Sequence, residues 1–365
     1  VRERIKQEVQ RFRVSPGARV FLRERLRLDP DRMDWDVLVD LTQGCNLSCT
    51  MCLTNAATPQ ALASPAVIER ILAEVVPRAA DFSLGCRSEP LLHPDLPEIL
   101  ARLGAEIDRL RSTTSLVVLT SGTLLGEGYA ERLATSGVHR ISLSIESTEP
   151  EKYARIRKGG AWSDVEAGIR RLLAARSGRF PGVGVQAIVS RQNLTDLPRL
   201  LVDVARLGLD RLNLPQLIPD RPSDVDEALS LVGPEATEVQ AVVARLLHES
   251  ERWGVAVTPP QPLLVPVPGD LYPILADSGY WDEPVAARDR PAVCIAPWSR
   301  VRVDHLGDVY PCHRALLRAD SWGNLLAAPF ASIVNSPKAL AMREALLEGR
   351  VPCRSCGRCP YGPAA

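Results

Sequence analysis

DVLVDLTQGCNLSCTMC, residues 36–52, places a short aliphatic run directly before three cysteines. Residues 37–41 are aliphatic apart from Asp40 and include two β-branched valines, which predicts a buried strand. Cys45, Cys49 and Cys52 then follow at C-x3-C-x2-C spacing. Thiols this close together can wrap one small metal centre, and soft sulfur favours zinc or iron–sulfur chemistry. Zinc would need a fourth protein ligand, and none is near in sequence. Three thiolates on a four-iron cluster leave one iron open to an exogenous ligand. The loop also falls at the carboxyl end of a strand, where β/α folds keep their active sites.

Outward from this stretch the pattern repeats. Aliphatic runs at 37–41, 81–84, 116–120, 140–145, 183–189 and 211–217 alternate with segments of 3.6-residue period, among them 65–76, 96–110 and 165–175. Strand followed by helix, six times over, predicts parallel β/α units, too few for a closed eight-stranded barrel. The expected fold class is α/β, a partial (β/α)6 barrel followed by a small C-terminal hairpin-and-helix domain. Residues 1–13 have helical spacing, and Ser15-Pro16-Gly17 ends them. Residues 235–253 predict a helix, and the proline-rich 258–297 an ordered connection. A hairpin is expected from 299–305 and 308–312 about Leu306-Gly307, then a helix over 337–347. The expected divisions are 1–35, 36–220, 221–293 and 294–365.

Composition bounds the function classes. The 365 residues carry 44 Lys+Arg against 44 Asp+Glu, so no basic excess points to nucleic acid. No apolar run reaches the ~18 residues of a membrane span, and the charged amino terminus lacks a signal sequence. A cytoplasmic protein with no nucleic-acid or membrane partner is expected. Arg outnumbers Lys about tenfold, consistent with a GC-rich genome. Nine cysteines, clustered rather than scattered, suit metal binding better than disulfides.

The cysteine triplet resembles that of the radical S-adenosylmethionine (SAM) enzymes, including the apolar Met51 before the last cysteine. The resemblance implies a [4Fe-4S] cluster on Cys45, Cys49 and Cys52 whose open iron is chelated by SAM. One electron from the cluster would then cleave SAM to methionine and a 5′-deoxyadenosyl radical that abstracts a substrate hydrogen. Cys86-Arg87-Ser88-Glu89-Pro90 stands where the family has Gly-Gly-Glu-Pro, which implies that Glu89 lines the SAM amine although both glycines are lost. Leu119-Thr120-Ser121-Gly122 resembles the family's Thr-Asn-Gly, with Ser121 for Asn. Ser142-Leu143-Ser144-Ile145-Glu146 resembles its Ser-Ile-Asp, which would turn Ser144 and Glu146 to the SAM ribose or carboxylate. Arg157-Lys158-Gly159 resembles its Arg-Gly element, and Arg157 would pair with the SAM carboxylate in bidentate fashion.

A second group comprises Cys294 and Cys312 about the hairpin, then Cys353, Cys356 and Cys359. Four thiolates make a closed site, either structural zinc or a fully ligated cluster. The pattern resembles the twitch domain, the short form of the SPASM extension of radical SAM enzymes. A full extension needs seven cysteines, so the five here imply one auxiliary [4Fe-4S] cluster. Cys294, Cys312, Cys353 and Cys356 are the expected ligands, with Cys359 spare or in place of Cys356. Cys86 is either a buried apolar filler or a hydrogen-atom donor to a substrate radical, and an unligated Cys359 is a second donor candidate.

Twitch and SPASM enzymes act on ribosomal peptides or on small metabolites. About thirty-five residues precede the first expected strand, so no fused leader-binding domain is expected, and a small polar substrate is the expectation that follows. The expected activity is oxidation or epimerisation at a carbinol C–H of a sugar, aminocyclitol or aminoglycoside-like compound, with antibiotic biosynthesis as the setting. A peptide maturase forming a thioether or carbon–carbon crosslink is the alternative, and a non-enzymatic zinc scaffold a third. A flavodoxin or ferredoxin is the expected electron donor.

Overall fold

The computed structural model describes residues 22, 24–52, 54–178, 180–215, 217, 236–259, 294–315, 317–353 and 356. Strands β1 (Trp35–Val39), β2 (Thr42–Gln43) and β3 (Ala61–Leu62) lead into helix α1 (Pro65–Arg70) and β4 (Ala79–Leu84). Helix α2 (Leu96–Arg109), β5 (Ser115–Thr120), α3 (Tyr129–Ala134) and β6 (Arg140–Ser144) come next. They are followed by α4 (Pro150–Ile156), α5 (Trp162–Ala175), β7 (Gly182–Gln186), α6 (Leu197–Arg206) and β8 (Arg211–Asn213). The chain continues with α7 (Ala236–Trp253), β9 (Ala256–Thr258), α8 (Ala296–Ser299), β10 (Arg300–Val303) and β11 (Asp308–Tyr310). Strand β12 (Gly323–Asn324), α9 (Phe330–Ile333) and α10 (Pro337–Leu347) complete the described elements. The alternation expected from the sequence is present. The expected amino-terminal helix and nearly all of the proline-rich connection lie outside the described residues.

The chain forms two compact units that are discontinuous in sequence: 1–44, 59–117 and 289–365, and 45–58 with 118–288. In the first unit the strand order is β12-β11-β10-β1-β4-β5. Strand β1 is parallel to both neighbours, with Val37 opposite Val301 and Phe82. Strands β10, β11 and β12 run antiparallel as the expected hairpin and one strand more. Trp35, Val37 and Val39 are sealed on one face of β1, and Trp35 meets the Phe330 ring edge-on at 5.6 Å. Helix α2 buries Leu96, Leu100, Leu103 and Ile107, spaced four, three and four residues apart as a helical stripe requires. Each such side chain contributes roughly 1.5–3 kcal/mol of transfer free energy. Pro77 limits the segment after α1. The predicted single helix over 65–76 becomes α1, a π-turn (Ile71–Val75) and a 3-10 turn (Val76–Arg78).

In the second unit the order is β5 (through residues 118–120), β6, β7, β8 and β9, and β6 to β9 pair in parallel. Strand β6 alternates: Ile141 and Leu143 are fully buried, while Arg140, Ser142 and Ser144 are half-buried on the other face. Helix α5 packs Val165, Ile169 and Leu172 inward, and a Cβ on Gly168 would lie 2.6 Å from Leu125 Cβ. Only glycine permits that approach.

Candidate active site

The first cysteine loop opens the second unit, and its backbone is fixed by residues far along the chain. Ser48 N donates to Lys158 O (2.8 Å) and Thr50 N to Ile156 O (3.0 Å). Asn46 Nδ2 donates to Thr123 Oγ1 (2.9 Å), which also shares a 2.9 Å hydrogen bond with Ser121 Oγ. Gln192 Nε2 donates to Thr50 Oγ1 (3.0 Å). Gly159 has φ +96°, a conformation suited to glycine, and its position is close to Asn46 O and Leu47. The end of β5, the turn after α4 and the loop after β7 therefore all hold the cysteine loop.

Cys45, Cys49 and Cys52 are half-buried. Leu47 N donates to Cys45 Sγ at 3.4 Å. Burial holds the Cys49 thiol above its ordinary value, and the Arg157 guanidinium works against that shift. Arg157 Nη1 lies 3.6 Å from Cys49 Sγ, while Nε and Nη2 each donate to a Glu146 oxygen at 2.6 Å. Burial disfavours the Arg157 charge, but Glu146 and Cys49 overcome it and leave the guanidinium more firmly charged than usual. Glu146 also accepts from Ile188 N (3.4 Å). The bidentate partner of Arg157 in this structure is thus Glu146. Ser144 is half-buried at the tip of β6, Ser121 is buried, and Met51 is half-buried in the loop. The donor set fits a cluster: three thiols on one short loop, one of them facing a cation that favours its thiolate. Asn46, Thr123 and Gln192 are site residues that the motifs do not single out. Their signal was a polar residue beside a cysteine and polar runs directly after strand ends.

In the first unit Glu89 is 2% exposed. Its Oε1 accepts from Leu91 N (3.0 Å), its carbonyl from Thr42 Oγ1 (3.1 Å), and its N–H donates to Gly44 O (3.1 Å). The Glu89-Pro90 turn is therefore clamped to the end of β2. His93 Nδ1 accepts from Asp95 N (3.2 Å), a local structural bond.

The second cysteine group gathers in the same unit. Cys353 and Cys356 Sγ are 3.2 Å apart. The Cys356 thiol is raised by its hydrogen bond with Cys353, by burial, and by the nearby Cys353, Cys294 and Cys312. Cys353 and Cys356 are thus in contact, and the other two expected ligands, Cys294 and Cys312, are near enough to act on Cys356 electrostatically; a positively charged metal group would deprotonate such thiols. Among the described residues no three His, Cys, Asp or Glu side chains converge on a single-ion site. Cys359 lies outside the described residues.

Cationic side chains lie beside Cys312, His313 and Cys86. Arg300 pairs with Asp36 (Nε to Oδ2, 2.7 Å), and the neighbouring Cys312 and Cys86 help keep it charged. Arg87 Nε donates to His313 O (2.9 Å), tying the residue after Cys86 to the residue after Cys312. Burial and then Asp40 push the Cys86 thiol up to about 12, against Arg87, Arg302 and Arg300. Burial, Arg300, Arg314, Arg87 and Arg302 push His313 down to about 3, so its ring is neutral. Cys86 is half-buried and lies within the field of the arginine that also faces Cys312.

Comparison with known proteins agrees with both centres. Residues 39–201 match the model of the radical SAM superfamily, and residues 294–360 that of the SPASM iron–sulfur cluster-binding domain. GTP 3′,8-cyclase 1 of Mycobacterium tuberculosis (strain H37Rv) is 30% identical over 166 residues, 44% of this chain and 45% of that protein. The chain thus spans under half the length of that relative. PqqA peptide cyclase of Granulibacter bethesdensis is 26% identical over 332 residues, 88% of this chain and 79% of that protein. Streptococcus suis SuiB bound to S-adenosylmethionine superposes with a TM-score of 0.66 at 13% identity, covering 94% of this chain and 75% of that one. That likeness extends the shared fold over nearly the whole chain. The chain thus carries a radical SAM domain and, C-terminal to it, a SPASM iron–sulfur cluster-binding domain, with SAM and iron–sulfur clusters as the cofactors.

Proposed function

We propose that this radical SAM enzyme acts on a peptide, removing a hydrogen atom from a C–H bond and releasing a product crosslinked through a thioether or a carbon–carbon bond. When bound, the cluster and SAM supply the 5′-deoxyadenosyl radical that takes the hydrogen atom. The observation that carries the reading is the span of the PqqA peptide cyclase match: it covers 88% of the chain, whereas the GTP cyclase match reaches 44%. The residues of the chain have separable parts in this reading. Cys45, Cys49 and Cys52 hold the group that cleaves SAM, and Arg157 and Glu146 fix the loop that carries them. Cys294, Cys312, Cys353 and Cys356 hold the auxiliary group, whose chemistry is electron acceptance.

A second reading is oxidation or epimerisation at a carbinol C–H of a sugar, aminocyclitol or aminoglycoside-like compound. Its epimerisation branch is favoured by Cys86, because a thiol pushed up to about 12 stays protonated, and the protonated form is the one that donates a hydrogen atom.

The test uses anaerobically reconstituted protein, dithionite and SAM, with panels of deuterated peptides and of deuterated amino sugars and aminocyclitols. The peptide reading expects deuterium in 5′-deoxyadenosine with peptides alone, and a product two hydrogen masses lighter. Deuterium transfer from the cyclitols alone contradicts it. An unchanged mass with solvent deuterium in the product identifies epimerisation.

A further inference from the structure

We infer that Arg157 is a positioning residue for the SAM-cleaving cluster: it holds the Cys49 sulfur in place and, balanced by Glu146, sets the charge that this sulfur feels. The inference rests on the three-cysteine loop holding a cluster.

The backbone places the two residues first. Ser48 N to Lys158 O and Thr50 N to Ile156 O, at 2.8 and 3.0 Å, run 48–50 alongside 156–158, so Cys49 stands opposite Arg157. The side chains then complete the contact. Nη1 faces Cys49 Sγ at 3.6 Å, and the other edge of the guanidinium is locked on Glu146 by two 2.6 Å bonds. The Arg157 side chain is 11% exposed and that of Glu146 1%, so water screens this arrangement weakly. Glu146 is held in turn by Ile188 N (3.4 Å). The donated N–H and the positive charge both stabilise the electron-rich, reduced state of a sulfur-ligated cluster, and the carboxylate behind them offsets part of that effect. Arg157 thereby raises the reduction potential, and Glu146 limits the rise.

Two substitutions separate this role from a purely structural one, because they must shift the potential in opposite directions. The experiment is a potentiometric titration with dithionite and mediators, followed by electron paramagnetic resonance, on the full chain reconstituted with iron and sulfide. The relevant signal is the one that changes when SAM is added, since only a cluster with an open iron responds to it. Arg157→Gln is expected to shift the midpoint downward and Glu146→Gln to shift it upward. Shifts in the same direction, or no shift in either variant, would overturn the inference. Should Arg157→Gln fail to retain iron, Glu146→Gln decides alone: an upward shift supports the inference, and a downward or absent shift overturns it. Iron and sulfide content reports separately on the underlying reading. A wild-type chain without iron at this loop overturns the cluster itself, whereas a loaded cluster with unshifted midpoints overturns only the part given to Arg157.

Discussion

Arg302, on the first strand of the C-terminal hairpin, donates its Nη1 to Asp40 Oδ2 at the end of β1, at 3.3 Å. Both side chains are more than nine-tenths buried. Asp40 Oδ1 also accepts from Arg87 N (2.7 Å) and Ser88 Oγ (3.3 Å). Arg302 Nη2 reaches Ala315 O (3.1 Å), and its guanidinium lies 4.1 Å above the Tyr310 ring. One carboxylate thus joins the first strand, the Cys86 turn and the hairpin beside Cys312.

Removing that carboxylate alone leaves a buried cation without its partner. Asp40→Ala is expected to lower stability by about 3–5 kcal/mol, read as a reduced urea midpoint. A double variant, Asp40→Asn with Arg302→Met, should recover part of the loss. If the single variant matches the wild type, the ion pair does not hold these elements.

The auxiliary centre predicts a partial loss of iron. Reconstituted wild type should hold roughly eight irons, and Cys353→Ala roughly four, with SAM cleavage retained. Loss of all iron, or loss of none, would contradict two independent centres.

His93 gives a pH dependence. Burial lowers its pKa from the ordinary 6.5, and its Nδ1 accepts from Asp95 N, so the folded protein keeps it neutral. Below pH 6.5 the unfolded chain therefore binds the proton first. This contribution to stability is complete above that pH and falls as the solution is acidified through it. His93→Gln should flatten the slope of unfolding free energy over that interval. An identical slope in the variant would show that His93 does not carry it.

The sequence made the β/α alternation plain because buried strands and amphipathic helices repeat with their own periods. The cysteine triplet was equally plain, since its ligands are local. Long-range pairings were hidden. Nothing in residues 299–305 shows that β10 lies parallel to β1, because a hairpin pattern specifies only its own partner. The two 2.6 Å bonds from Arg157 to Glu146 were hidden as well, because spacing does not say which acid a buried arginine meets. Arg343 is similar. Residues 337–347 predict an amphipathic helix, and α10 forms there, but Arg343 is fully buried. It donates to Pro297 O (3.0 Å) and Leu26 O (2.9 Å) and lies 5.2 Å from the Trp322 ring centre. Carbonyls and rings from distant segments make that burial tolerable, and they carry no local signal.

Cys45, Cys49 and Cys52 are proposed to hold the iron centre that cleaves SAM. The most direct test of that role is 5′-deoxyadenosine release from SAM after reduction with dithionite, measured beside iron, sulfide and zinc content in the reconstituted wild type and in Cys49→Ala. Iron and sulfide without zinc, and release of 5′-deoxyadenosine, are expected of the wild type. No release is expected of Cys49→Ala, with the auxiliary iron retained. Zinc in place of iron, or equal release by both proteins, would contradict that role.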